Sequence, residues 1–414
     1  MAVAVNFITE VNIMRIIEGG GVTFPEGFFA TGVACGIKPN GKKDLAIVCS
    51  EDSAAVAGVF TTNAVKGHSL QVTMEHIKNG YASAVIINSG NANACVGEEG
   101  YKNAKEIAKH ASELLECSPE EILVGSTGVI GIPLNMEAVL AGIDEAVSGM
   151  EPEGGHDAVE AIMTTDTIPK EIAVEFEIQG VKVVIGGMAK GSGMIHPNMA
   201  TMIGIITTDV NISRKLLEKA LKDVVKHTFN RISVDGDTSV CDMVLALANG
   251  LADNPGIVIE DRDYDEFKKA LEFVCTYLAR LIAKDGEGAT KLIEVVAEGA
   301  SSEDDAYKVV NAVAKSPLVK TAIFGEDANW GRIITAVGYS GADIDPLKID
   351  INIGDVAVCR NGAAVPFDEE EASKVLAQDE IKIYINLNNG DFSDRMWTCD
   401  FSYDYIKING SYRS

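Results

Sequence analysis

The stretch AKGSGMIHPNMATMIGIITTD, from Ala189 to Asp209, brings together a lysine, a Gly-Ser-Gly turn, a His-Pro-Asn and a threonine that follows a small residue. Gly191 and Gly193 open backbone conformations that other residues avoid. Pro197 fixes its own φ and biases His196 toward extended forms. Such a segment can present the Thr201 hydroxyl on a stiff backbone, just ahead of the apolar run Met202 to Ile206. The same residue types also describe a tight loop feeding a buried strand, and types alone leave both readings open. GSGMIH starts like G-x-G-x-x-G but has His196 in the last place, and no G-x-x-x-x-G-K-[ST] loop occurs. No nucleotide or flavin cofactor is therefore expected.

Composition narrows the field further. With 414 residues, 47% of them hydrophobic, the chain has material for a large core in one large or two moderate domains. A net charge of −26 would repel phosphates, which argues against a nucleic-acid partner. The eight cysteines are scattered without a C-x-x-C pair and the six histidines lack H-x-x-x-H spacing, so neither a metal site nor a disulfide framework is expected. No signal-like N-terminus and no apolar stretch of membrane-spanning length is found, and a cytoplasmic protein without membrane partners is the expectation.

The elements that must position this stretch follow from periodicity. Leu45–Cys49, Ala54–Phe60 and Ala84–Ile87 read as strands. The small-residue stretches NSGNANACVG (88–97) and GSTGVIGIP (125–133) read as loops on either side of a helix from about Tyr101 to Glu116. Ser118-Pro119-Glu120-Glu121 has the cap, proline and acids of a helix start, and a further helix is predicted from Met136 to Ala146. Alternation through Ile172–Ile178 and Val181–Ile185, broken at Gln179-Gly180, predicts a hairpin leading into the central stretch. Two amphipathic helices follow, one through Leu216–Val225 and one through Phe267–Ile282. Hairpin-like regions then turn at Gly354-Asp355 and end in Trp397–Ile408. Strands mixed with helices, without strict alternation, favour an α+β fold.

KGSGMIHPNMATM closely resembles the self-cleavage signature of the ornithine acetyltransferases, the glutamate N-acetyltransferases of arginine biosynthesis. Further matches to that family run in order along the chain: AGVFTTN (57–63), NSGNANAC (88–95), STGVIG (126–131), TTDT (164–167), VDGDTS (234–239), KDGEGATK (284–291), GEDANWGR (325–332) and WTCDFSYDYIKINGSYRS (397–414). Two positions depart from it. Ala64 stands where a basic residue is common, and Ala328 where proline is usual.

The resemblance implies a layered αββα-type sandwich of the N-terminal-nucleophile kind that cuts its own Ala200–Thr201 bond. The α chain, 1–200, and the β chain, 201–414, would fold as one unit, and two of each would form a heterotetramer. It also implies that Thr201 is the nucleophile, its freed α-amino group the base. Thr127 and Gly128 would be the oxyanion donors, and Thr164, Lys190, Glu287, Asn409 and Ser414 would bind substrate. The implied reaction is ping-pong transfer of acetyl from N-acetylornithine to glutamate, with acetyl-CoA as a further conceivable donor. Two rival readings are a self-processing aminopeptidase or amidase, in which water takes the acyl group, and a non-catalytic acidic binding protein with an uncut chain.

Overall fold

The computed structural model describes residues 14–39, 41–196 and 202–411. In chain order the first part comprises β1 (Arg15–Ile17), β2 (Phe28–Val33), β3 (Leu45–Phe60), α1 (His68–His76), β4 (Tyr81–Asn91), α2 (Glu98–Leu114), β5 (Ile122–Val129), α3 (Met136–Ser148), α4 (Gly155–Ile162), β6 (Lys170–Ile178) and β7 (Val181–Lys190). There follow β8 (Ile203–Thr208), α5 (Arg214–His227), β9 (Ile232–Ser233), β10 (Met243–Ala248) and α6 (Arg262–Lys284). The last part holds β11 (Leu292–Ala300), α7 (Glu303–Lys315), α8 (Pro317–Phe324), α9 (Trp330–Gly338), β12 (Asp350–Ile353), β13 (Val356–Arg360), β14 (Ala363–Ala364), α10 (Glu369–Leu376), β15 (Glu380–Asn386), β16 (Phe392–Cys399) and α11 (Tyr403–Ser411).

The long strand β3 joins two halves of one sheet. Its first part pairs with β2 and β4, its last part with β10, and a register shift between Cys49 and Ala54 lies between them. One half runs β2-β3-β4-β5 and the other β1-β6-β7-β8-β10-β3. Alternate residues of the two halves, among them Val48, Val85 and Ile87 against Ile205, Met243 and Leu245, meet in a shared apolar interior with α4. On the outer faces α2 and α3 cover β3–β5, while α5 and α6 cover β6–β8 and β10. Two β layers between two helical layers is the αββα arrangement expected. A seven-stranded sheet, β14-β13-β12-β15-β11-β16-β9, packs its own core under α7, α9 and α10.

Local sequence explains the helices that flank the site. In α2 the buried Ala104, Ile107, Ala108 and Ala111 recur at helical spacing. Asp261 caps α6 through the N–H groups of Asp263 and Tyr264; two acids open that helix and Lys284 closes it, in line with the helix dipole.

Four expectations need correction. The predicted strands at 45–49 and 54–60 are one strand, because a bulge keeps β3 continuous across the polar Ser50–Ser53. Pro119–Glu121 forms a single tight turn, after which the β-branched and apolar Ile122–Val124 enter β5 as a buried strand. Both small-residue stretches begin as strand, since β4 and β5 continue to Asn91 and Val129 as parallel neighbours. The C-terminal hairpin is a strand followed by a helix: β16 ends at Cys399, and α11 runs along the surface without a buried residue. Among the described residues no helix is long and apolar enough to cross a membrane. None of the described His, Cys, Asp and Glu residues gather in a group that could hold a metal ion.

Candidate active site

Asp166, in the TTDT turn between α4 and β6, organises the polar side of the site. Its carboxylate accepts the N–H groups of Thr164 at 3.0 Å and Gly191 at 2.6 Å and the ammonium of Lys170 at 2.8 Å. Lys190 lies 3.9 Å away. Burial alone would raise this carboxyl, but the Lys190 and Lys170 charges outweigh it and hold the group far below the usual carboxylate range. Lys170, fully enclosed, also donates to Asp285 at 2.5 Å, just past the end of α6, and the Thr167 hydroxyl and N–H complete that carboxylate's bonding.

The two lysines therefore differ in what they leave open. Lys170 is held between two carboxylates. Lys190, at the end of β7, donates to the Thr164 hydroxyl at 2.9 Å and reaches the Thr127 hydroxyl at 3.5 Å, with its nearest carboxylate at a longer distance. A buried ammonium so placed is suited to a ligand carboxylate.

Thr127 and Gly128 lie at the end of β5, in register with Ser89 and Gly90 of β4. Gly128 has φ +131°, and a Cβ there would overlap the backbone of Gly90 and Asn91, so glycine is required. Behind them Ser126 donates to Asn88 at 2.6 Å and pairs with the Ser69 hydroxyl at 2.7 Å, a polar network that fixes the strand end.

Glu287 closes the opposite side. Its N–H donates to Ser192 O at 2.9 Å, and its carboxylate accepts Asn409 Nδ2 from α11 at 2.8 Å. The same carboxylate fills the space where a Cβ on Gly193 would stand. α11 is tethered here because Ser402 Oγ donates to Gly288 O at 2.5 Å. Met194 takes φ +57° and donates its N–H to Asp235 at 2.6 Å.

Thr127, Gly128, Thr164, Lys190, Glu287 and Asn409 thus all line one pocket, although they come from five separated segments. Ala200, Thr201 and Ser414 lie outside the described residues. The chain on either side of the Thr201 segment is fixed: β7 and β8 pair antiparallel with Lys190 opposite Ile203, and Met243 N–H donates to Met202 O at 3.2 Å. His196 is buried beside Ser233; burial and then the Lys315 charge push its imidazole down to about 4, which leaves it neutral at pH 7.

Several residues of the site were not singled out in the sequence. Asp166 and Lys170 sit beside Thr164 as a carboxylate and an amine four residues apart, a spacing that offered a signal. Asp285 lies inside KDGEGATK. Asp242, buried just ahead of β10 and next to the Met243 that pairs with Ile203, has carboxyl oxygens that meet no close hydrogen-bond partner among the described residues, and burial pushes its carboxyl well above the usual range. Nothing in its sequence spacing marks it.

Comparison with known proteins gives a consistent set of relatives. The model of the ArgJ family matches residues 29–414. The arginine biosynthesis bifunctional protein ArgJ of Caldanaerobacter subterraneus subsp. tengcongensis is 53% identical over 405 residues, covering 97% of this chain and 100% of that protein. The protein of the same name from Symbiobacterium thermophilum is 53% identical over 397 residues, covering 95% and 99%. Among solved structures, ornithine acetyltransferase complexed with ornithine from Mycobacterium tuberculosis is 40% identical with a TM-score of 0.42, over 46% of this chain and 99% of that one.

Proposed function

The chain belongs to the ArgJ family, and from that premise we propose that it is an acetyltransferase of arginine biosynthesis that moves acetyl from N-acetylornithine to glutamate. The observation that carries the reading is the convergence of Lys190, Thr127, Gly128, Glu287 and Asn409 on one pocket, with Lys190 opposite the strand that begins two residues after Thr201.

The chemistry runs in two stages. The Thr201 hydroxyl attacks the Ala200 carbonyl, the Ala200–Thr201 C–N bond breaks as the nitrogen takes the hydroxyl proton, and water hydrolyses the resulting ester. This leaves 1–200 and 201–414, with a free amino group on Thr201. An amine with an ordinary pKa of about 7.7–8.0 serves as base at neutral pH. In the transfer stage the hydroxyl oxygen bonds to the acetyl carbon of N-acetylornithine while its proton passes to that amine. The carbonyl oxygen gains negative charge, which the Thr127 hydroxyl and Gly128 N–H stabilise. The C–N bond then breaks, the amine returns the proton to the departing ornithine nitrogen, and acetyl remains on Thr201. Glutamate takes it by the reverse sequence.

Both amino acids carry an α-carboxylate, which Lys190 pairs with while Thr164 steadies the ammonium. Glu287, oriented by Asn409, faces a positively charged amine of the substrate. Ser414 is assigned to substrate binding as part of the same family set. The transfer so written needs no cofactor or metal, and acetyl-CoA is an alternative donor to the same hydroxyl. Assembly into two α and two β chains in the cytoplasm completes the proposal.

Initial-rate kinetics test it. Varying N-acetylornithine at several glutamate concentrations should give parallel double-reciprocal lines. Intersecting lines argue against an acetyl-enzyme, and acetate release that does not depend on glutamate makes the enzyme a hydrolase.

A further inference from the structure

One wall of the pocket has no polar task in the transfer just described. Ala92, Val240 and Cys241, with Ala94 behind them and Ile130 packed against them, form a small apolar cluster separate from the four larger cores. Ala92, Ile130, Val240 and Cys241 face the same pocket as Thr127, Gly128 and Lys190.

The wall is built so that it does not recede. Ala92 N–H donates to Val129 O and Gly131 N–H to Ala94 O, both at 2.9 Å, which ties the wall to the strand end that carries Thr127 and Gly128. From the other side Gly67 N–H donates to Val240 O at 2.9 Å, and Cys241 N–H to Ser239 Oγ at 3.2 Å. A Cβ on Gly67 would stand only 3.1 Å from Cys241 Sγ and 3.3 Å from Ala92 O, so the backbone is packed directly behind the wall. The Cys241 thiol does not compete as a nucleophile. It is buried apart from the edge that lines the pocket, burial pushes it far above its ordinary range, and its hydrogen points to Ala92 O at 3.5 Å. A neutral buried thiol behaves as a small apolar group.

We propose that this wall is the acyl-length gauge of the enzyme: Val240 and Cys241, backed by Ala92, receive the methyl end of a two-carbon acyl group and exclude longer ones. The proposal rests on the transferase reading above. An acyl group whose oxygen is held by Thr127 and Gly128 extends its carbon chain away from those donors, and the wall beside them offers it contacts without a polar partner. Because the wall is backed by packed backbone, it cannot easily give way to an added methylene.

The test compares N-acetylornithine with N-propionylornithine as donors to glutamate. One methylene in a fixed apolar pocket is worth about 10- to 200-fold in kcat/KM, and the parent enzyme should favour acetyl within that range. Val240→Ala should raise the propionyl-to-acetyl ratio about tenfold or more, and Val240→Leu should depress acetyl transfer. Cys241→Ala, cut from the same wall, repeats the test if Val240→Ala does not fold. A parent indifferent to acyl length overturns the proposal, as does a ratio unchanged within about twofold in a folded variant. So does the loss of both transfers in variants that melt like the parent, since these residues would then serve the chemistry and not acyl length. If the parent only releases free acid, the transferase reading fails by itself, and the acyl-length ratio is read from the acid released.

Discussion

The two buried lysines beside Asp166 should respond in opposite ways to removal of their charge. Lys170 is fully enclosed and bonded to Asp166 at 2.8 Å and Asp285 at 2.5 Å. Lys170→Met removes the cation bonded to Asp285 and, among the ion pairs of the described residues, leaves Asp166 with the more distant Lys190. Breaking a buried pair by removing one partner costs about 3–5 kcal/mol. With an unfolding entropy of about 2.1 cal/mol/K per residue over 414 residues, 1 kcal/mol shifts melting by about 1 °C, so the melting temperature should fall by about 3–6 °C. Lys190→Met leaves Asp166 its Lys170 bond and its two N–H donors, so melting should change by about 1 °C or less. Activity should show the reverse contrast. Removing a buried charge that faces a ligand carboxylate costs about 2–5 kcal/mol, or about 30-fold to a few thousand-fold in kcat/KM for N-acetylornithine. Circular-dichroism melting at pH 7 and steady-state rates on both variants give the comparison. A Lys190→Met protein that transfers normally, or a Lys170→Met protein that melts like the parent, would refute the division of labour.

Other positions give sharper single outcomes. Gly128→Ala places a Cβ at φ +131° against the backbone of Gly90 and Asn91, so transfer should fall at least tenfold; full activity would remove Gly128 N–H from its proposed role. Gly193→Ala pushes on the Glu287 carboxylate and should raise KM for N-acetylornithine severalfold, with kcat less affected. Asp242 titrates in the direction opposite to a paired carboxylate: its folded-state pKa is raised, so stability is lost as pH rises above the ordinary carboxylate value of about 3.9. In a Thr201→Ala chain, which keeps the Thr201 amine from forming, Asp242→Asn should therefore stabilise, by more at pH 8 than at pH 4. A melting difference that does not depend on pH would count against a neutral Asp242.

The elements legible in the sequence were those with a long regular period. α2, α5 and α6 show apolar faces at helical spacing, and β6–β7 alternates cleanly around Gln179-Gly180. What was missed is short or decided by tertiary contact. α4 spans Gly155–Ile162, too few residues for a period to show, and it is held between strands that lie far away in the chain. The polar Ser50–Ser53 read as a break because the bulge that carries β3 through it depends on pairing with β4. At the site, Lys190, Thr127, Gly128, Thr164, Glu287 and Asn409 were found through the family resemblance, and the fold gathers them in one pocket. Asp166, Lys170 and Asp285 escaped notice because a charge in a turn reads as solvated until burial is known, and their burial comes from the meeting of α6 with the turn before β6. Val240 and Cys241 look like ordinary apolar residues ahead of a strand; only the pocket shows what they face.

The measurement closest to the central claim is an intact mass spectrum of the purified protein before and after N-acetylornithine is added. Self-cleavage and acetyl transfer through Thr201 predict two masses, for 1–200 and 201–414, with the second fragment heavier by one acetyl group after substrate. Two masses without an acetyl shift would keep the nucleophile but contradict a stable acetyl-enzyme. One mass for the whole 414-residue chain, unchanged by substrate, would contradict the account.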